Sequence, residues 1–289
     1  MKKSYLFYII FFALFMSLLL VGLIQKQQVE DSIIYFPLNE SVTFLDAETS
    51  LLNPVTKGKR EYDIILKSYS RLDQEAYLRQ DISFLFVNGR LFGKMGKWEN
   101  KTDVIENEEK FSLKNNHLLQ AISYHHGELH ENDNITSTQR MSKDGLYVVH
   151  SALGLIFFHK PQTEEETGFK DILDKKVQEV IQYNLKMAEE QFNINLENYH
   201  VFPIIELPEL EKKGLPSFSK EKSAEILGKL WEGLYKNYFV AIKKGNGESV
   251  SPIASTMPII LLSKSKDHLY VIFETADGEG IQLLQRISP

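Results

Sequence analysis

The chain has 289 residues, 43% hydrophobic and 25% charged, with a formal charge of −6 and no cysteine. That apolar content excludes wholesale disorder, and the acidic balance argues against a nucleic-acid partner, which needs a basic face. The absence of cysteine removes disulfides, Cys-ligated zinc, iron–sulfur clusters and thiol catalysis together.

The N-terminus reads as a membrane anchor. Residues 1–4 form a short cytoplasmic start carrying Lys2 and Lys3, and residues 5–24 follow without a charge. Twenty helical residues span about 30 Å, the thickness of the hydrocarbon core. A cleavable signal peptide has a shorter apolar region and a small-x-small exit, which Leu20 to Lys26 does not offer. Lysines before the span, with Glu30 and Asp31 after it, place the N-terminus in the cytoplasm and export the remainder. Residues 25–32 are then a polar tether and residues 33–289 an extracytoplasmic domain, with a candidate subdivision near residue 160. The lysine-rich, cysteine-free composition fits a bacterial cell envelope.

The first half of that domain reads as antiparallel strands. Ile33 to Leu38 and Tyr62 to Tyr69 are short apolar or alternating runs. Ile82 to Val87, Asn88-Gly89 and Arg90 to Phe92 predict a hairpin, because Asn-Gly supplies the two positive-φ residues of a type I′ turn. Leu118 to His130 and Ile135 to Ser142 predict a second hairpin across residues 131–134. Lys143 to Gly145 predicts a turn into a long central strand, Leu146 to His159.

Two long amphipathic helices follow. Thr163 to Glu166 has the form of a capping box, opening a helix with a stripe through Phe169, Ile172, Leu173, Val177, Ile181, Ala188 and Phe192. A second helix begins after Ser219 and carries Ile226, Leu230, Trp231, Leu234, Tyr238 and Phe239 on one broad face. Leu207 to Ser219 and Lys243 to Pro258 read as surface loops. Met257 to Leu262, His268 to Thr275 and Ile281 to Ile287 form a three-strand meander. The expected fold is α+β: one transmembrane helix, then antiparallel sheet with two long helices packed on it.

Candidate sites are few. His126, Glu128 and His130 share a strand face within His125 to Glu131, and two imidazoles with a carboxylate are ligands for zinc or another divalent metal. A regular strand holds i and i+4 about 13 Å apart, so this set needs a bulge or a ligand from elsewhere, with His117 and His150 as candidates. Trp98 with Arg90, Lys94 and Lys97 forms a basic aromatic edge suited to anionic wall polymer or lipid headgroups. Two Ser-x-x-Lys matches lack the companion motifs of acyl-enzymes, and no Gly-x-Ser-x-Gly is present. The expectation is therefore a single-pass, membrane-anchored binding module of envelope assembly, regulation or development, with a protein partner near the membrane and no catalysis. The alternatives are a metal-dependent hydrolase or metal-binding protein at the histidine cluster, and a polymer or headgroup binder at Trp98.

Overall fold

A computed structural model describes residues 33–58, 60–131, 134–152 and 154–288. The expected transmembrane span at 5–24 lies outside them. Among the described residues no helix is long and apolar enough to cross a membrane. Residues 34–289 form one compact unit. It is an α+β domain of antiparallel sheets, one of them curled into a half-barrel, with three helices.

The large sheet comprises β1 (Phe44–Gly58), β2 (Glu61–Val87), β3 (Arg90–Lys114), β4 (His117–Glu131), β5 (Asn134–Ser151) and β6 (Gly154–Phe158). Its order is β1-β2-β4-β5-β6, with β3 on the other edge of β2. β2 is the spine. Its first half pairs with β1 as far as Leu72, and its second half pairs with β4 from Leu78 onward. Between them the β2–β3 register slips from Arg71 to Ala76, and such bulges bend a strand and raise its twist. The bend folds the β1 half over toward β5, which curls the sheet.

The Asn88-Gly89 hairpin is present as expected, with φ of 49° and 79°. The second hairpin also forms, joining Glu131 to Asn134. Three expectations are corrected. Residues 33–38 contribute only a bridge from Leu38 to Ser137, and the first strand is the later β1. Pro54 hid β1 in the sequence; it sits at a register shift between Leu52 and Val55, where a missing N–H is tolerated. Lys143 to Gly145 is not a turn, because β5 runs through it, and the expected single strand Leu146 to His159 is instead the end of β5 and the short strand β6, paired antiparallel from Ser151 and Gly154.

Helix α1 (Glu164–Glu190) starts at Thr163, whose hydroxyl accepts the Glu166 N–H at 3.1 Å. The Glu166 carboxylate reaches back to the N–H of Gln162. Leu173, Val177, Ile181 and Ala188 are buried against Leu118, Val149, Ile259 and Ile272, whereas Ile172 is 60% exposed and lies off the stripe. Residues 207–219 are not simply a loop. Pro208 opens a short helix α2 (Leu207–Lys213), a position where its lost N–H costs nothing. Helix α3 (Lys220–Leu234) is capped by Ser219 and continues as a π-turn through Tyr235–Val240. Trp231 is fully buried between Tyr124 and Phe84, with ring centroids 4.9 and 5.9 Å away.

Within residues 243–258, Ser249–Val250 (β9) pairs with Ile242–Lys243 (β8). The C-terminal meander forms as β10 (Ile259–Ser263), β11 (His268–Glu274) and β12 (Gly280–Arg286). A fourth strand, β7 (Tyr199–Pro203), pairs with β10.

Candidate functional site

Strand alternation separates the residues of the large sheet by face. One face, carrying Phe84, Tyr124 and Met141, packs on Trp231 of α3. The other lines the inside of the half-barrel. At one end of that interior, Leu51, Leu66, Leu85, Leu119 and Val148 form an apolar core. At the other end, the same face of the same strands is polar.

The polar end is a connected network. Arg79 and Asp81 of β2 and His125 of β4 are 0–1% exposed. Asp81 Oδ2 accepts the Ser70 hydroxyl at 2.7 Å and lies 2.6 Å from His125 Nδ1. Arg79 stands 3.7 Å from Asp81 Oδ1 and donates to Ser70 Oγ and to the carbonyls of Asp103 and His126. Beyond the imidazole, His125 Nε2 is 2.7 Å from the Oγ of Ser142 on β5. Thr49 of β1 donates to Ser123 Oγ at 2.7 Å and lies 2.6 Å from Ser142 Oγ, and Ser123 in turn contacts Ser83. A carboxylate and a guanidinium in a dry interior demand such partners, and Asp81 Oδ1, buried without a hydrogen bond, has the Arg79 charge at 3.7 Å.

Ser142 is where the network reaches solvent. It is half-buried in a groove of about 550 Å³ between β1, β5 and α2, beside Phe44, Arg140, Lys143 and Lys212. Lys143 faces Glu209 at 3.8 Å. Arg140 and Lys212 make no hydrogen bond and no ion pair within 4 Å among the described residues, and both act on the nearby Glu211 carboxyl from a distance, lowering it. Glu211 of α2 accepts the Met141 N–H at 2.9 Å, and burial pushes its carboxyl up to about 7.

The residues singled out in the sequence are distributed differently. His126 points away from His125, toward the Tyr124 ring; both its ring nitrogens are buried without a partner, and burial together with Arg79 pushes it down to about 4. His130 stacks on Tyr77 at 3.7 Å and pairs with Glu128 at the end of the strand. His117 binds Asn88 and the Lys114 carbonyl, and His150 packs against Tyr62. Among the described residues no group of three or more His, Asp or Glu side chains is placed to hold a metal ion.

The basic aromatic edge is tied to the rest of the domain, with Arg90 and Lys97 remaining at the surface. Lys94 donates to the Phe239 and Val240 carbonyls and lies over the Phe239 ring at 4.9 Å. Arg90 donates to the Ala254 carbonyl and to Glu274, and Lys97 pairs with Glu99 at 2.6 Å. Trp98 packs edge-on against Tyr235. Sequence reasoning missed Arg79, Asp81 and Ser142. Their signal was a set of polar residues on the inward positions of otherwise apolar strands.

No family model and no curated protein matches the chain. Among solved structures, a glycosyl hydrolase family 2 (GH2) member from Bacteroides cellulosilyticus DSM 14838 aligns at a TM-score of 0.24 and 9% identity, over 39% of this chain and 18% of that one.

Proposed function

We propose that residues 34–289 act as an extracytoplasmic binding module, tethered to the cell membrane through residues 5–24, in the assembly, regulation or development of a bacterial envelope. The anchor reading rests on the uncharged span and its flanking charges. The observation that carries the binding reading is the groove, where Arg140 and Lys212, neither in an ion pair within 4 Å, stand beside the half-buried Ser142 with Glu211 as their nearest named counter-charge. Its ligand carries a carboxylate or phosphate group, which replaces solvent on the guanidinium and ammonium through charge-assisted hydrogen bonds. We favour the groove over the Trp98 edge as the docking place for an anionic polymer, because Arg90, Lys94 and Lys97 each already have a partner within the domain.

The test is binding of inorganic polyphosphate and poly-glutamate to the full chain in detergent micelles, with neutral dextran as control. The double variant Arg140→Glu, Lys212→Glu is expected to weaken binding at least tenfold and to flatten its salt dependence. Unchanged binding by that variant overturns the groove as the site.

A further inference from the structure

The Asp81, His125 and Ser142 side chains are in the order and at the spacing of a proton relay: carboxylate on Nδ1, hydroxyl on Nε2, at 2.6 and 2.7 Å. The outermost member is the one that lines the groove, beside Arg140, which is in no ion pair within 4 Å. Leucines at the same inward positions would extend the apolar core already built from Leu85, Leu119 and Val148 and would spare the cost of burying Arg79 and Asp81.

A backbone donor accompanies the hydroxyl. The N–H of Met141 is turned outward from β4, onto Glu211, and that of Gly145 onto the Asp144 carboxylate. Alternation along a strand turns the intervening Lys143 N–H the same way, toward the side where β1 and the groove lie. It belongs to the residue directly after the serine.

We propose that Ser142 is the nucleophile of an esterase site in this groove, with His125 as its base, Asp81 as positioning residue and the Lys143 N–H as oxyanion donor. Asp81 accepts from Nδ1–H and so leaves Nε2 as an acceptor; Thr49, whose own proton goes to Ser123, is a second acceptor beside Ser142, so the Ser142 O–H turns from Thr49 to Nε2 before it is abstracted. In the first step the Oγ proton passes to Nε2 as Oγ bonds to the ester carbonyl carbon. The carbonyl electron pair moves onto oxygen, where the Lys143 N–H meets it. Collapse breaks the bond to the alkoxy oxygen, which takes the proton from Nε2 and leaves as an alcohol. Water then gives a proton to Nε2 and its oxygen to the acyl carbon, and Ser142 departs with that proton. The balance is ester plus water to carboxylic acid plus alcohol, with no redox change. The substrate class is a carboxylic ester with an anionic group on Arg140 and Lys212, so the proposal rests on the groove being the ligand site.

The experiment is labelling of the full chain in detergent micelles by an alkyl fluorophosphonate, with the modified residue mapped by peptide mass spectrometry. Expected is stoichiometric modification at Ser142, absent in Ser142→Ala and at least a hundredfold slower in His125→Gln, with thermal melts confirming that each variant is folded. Asp81→Asn is expected to slow labelling comparably and Asp81→Glu to restore part of it. Should the His125 variant unfold, Ser142→Cys keeps the question open to measurement. Its alkylation by iodoacetamide is expected to run at least tenfold faster than that of Ser50→Cys on the same groove. No modification of Ser142, labelling indifferent to His125→Gln in a folded variant, or equal alkylation of the two cysteines overturns the relay. Polyphosphate binding is read separately: if it persists without labelling, the esterase fails while the binding module stands.

Discussion

The Glu211 carboxylate accepts the Met141 N–H at 2.9 Å, and it does so from a site that resists its ionisation. With a carboxyl near 7 in the fold and near 4.5 when unfolded, the native state binds the extra proton between those values. Stability therefore falls as pH rises through that window, by on the order of 3 kcal/mol at most. His126 works in the opposite sense. Held at about 4 by burial, it stays neutral while the unfolded imidazole protonates below 6.5, so its contribution raises stability from pH 4 to 6.5. His117, also lowered by burial, adds to the same slope. Asp63 and Asp267, held below the usual carboxylate range by Lys110 and Ser265 as their main partners, titrate under this window. The two slopes offset each other in the parent. Urea melts of Glu211→Gln should show stability rising from pH 4 to 6.5, and those of His126→Phe should show it falling from pH 4.5 to 7.

Arg79 is the positive charge that makes the buried Asp81 tolerable. Arg79→Ala leaves that carboxylate in the barrel with only His125 and Ser70, at an expected cost of about 3–5 kcal/mol. Replacing both, as Arg79→Met with Asp81→Leu, removes the uncompensated charge and should recover most of the loss. A double-mutant cycle checks this through a coupling of about 2 kcal/mol or more.

Trp231→Ala empties the space between Phe84 and Tyr124 and deletes the indole N–H contact to Met141 Sδ. A cost of about 3–5 kcal/mol is expected from chemical denaturation. A variant that melts with the parent would mean that α3 does not pack on the sheet through this residue.

Lys94 satisfies the last carbonyls of the π-turn, and burial lowers its ammonium pKa. Lys94→Met should cost about 1–3 kcal/mol through the unpaired carbonyls. Polyphosphate affinity should not change, since the groove lies elsewhere.

Much of the fold was legible because its signals are local. Asn88-Gly89, the Thr163 cap, the Trp231 stripe and the C-terminal meander each specify their element within a few residues. β1 was missed because Pro54 and a polar run disguise an edge strand, and the length of β2 because its bend interrupts the alternation that identifies a strand. The site was harder still. His125 lies in the cluster that drew notice, yet its functional partners come from Asp81, 44 residues before it, and Ser142, 17 after it. Such a juxtaposition follows from strand order in the sheet. The Arg79-x-Asp81-x-Ser83 alternation does carry a local clue: three inward polar residues leading into an apolar run.

Among the described residues, β1 meets β5 through side chains and not through a backbone ladder. Thr49 contacts Ser142, and the Leu51 N–H donates to Asp144 at 2.8 Å. The two bonds of this seam contribute about 1–3 kcal/mol, beside the packing of Leu51 against Leu146 and Val148, and they replace a full antiparallel ladder. With no ladder across it, this line is where local opening of the barrel wall is expected to need the least disruption of backbone pairing. Amide hydrogen exchange should therefore be faster at Leu51 than at Leu85 or Ala121 on the paired strands. The width of the groove, and the moments at which Ser142 meets a visitor, are set by how often that seam parts.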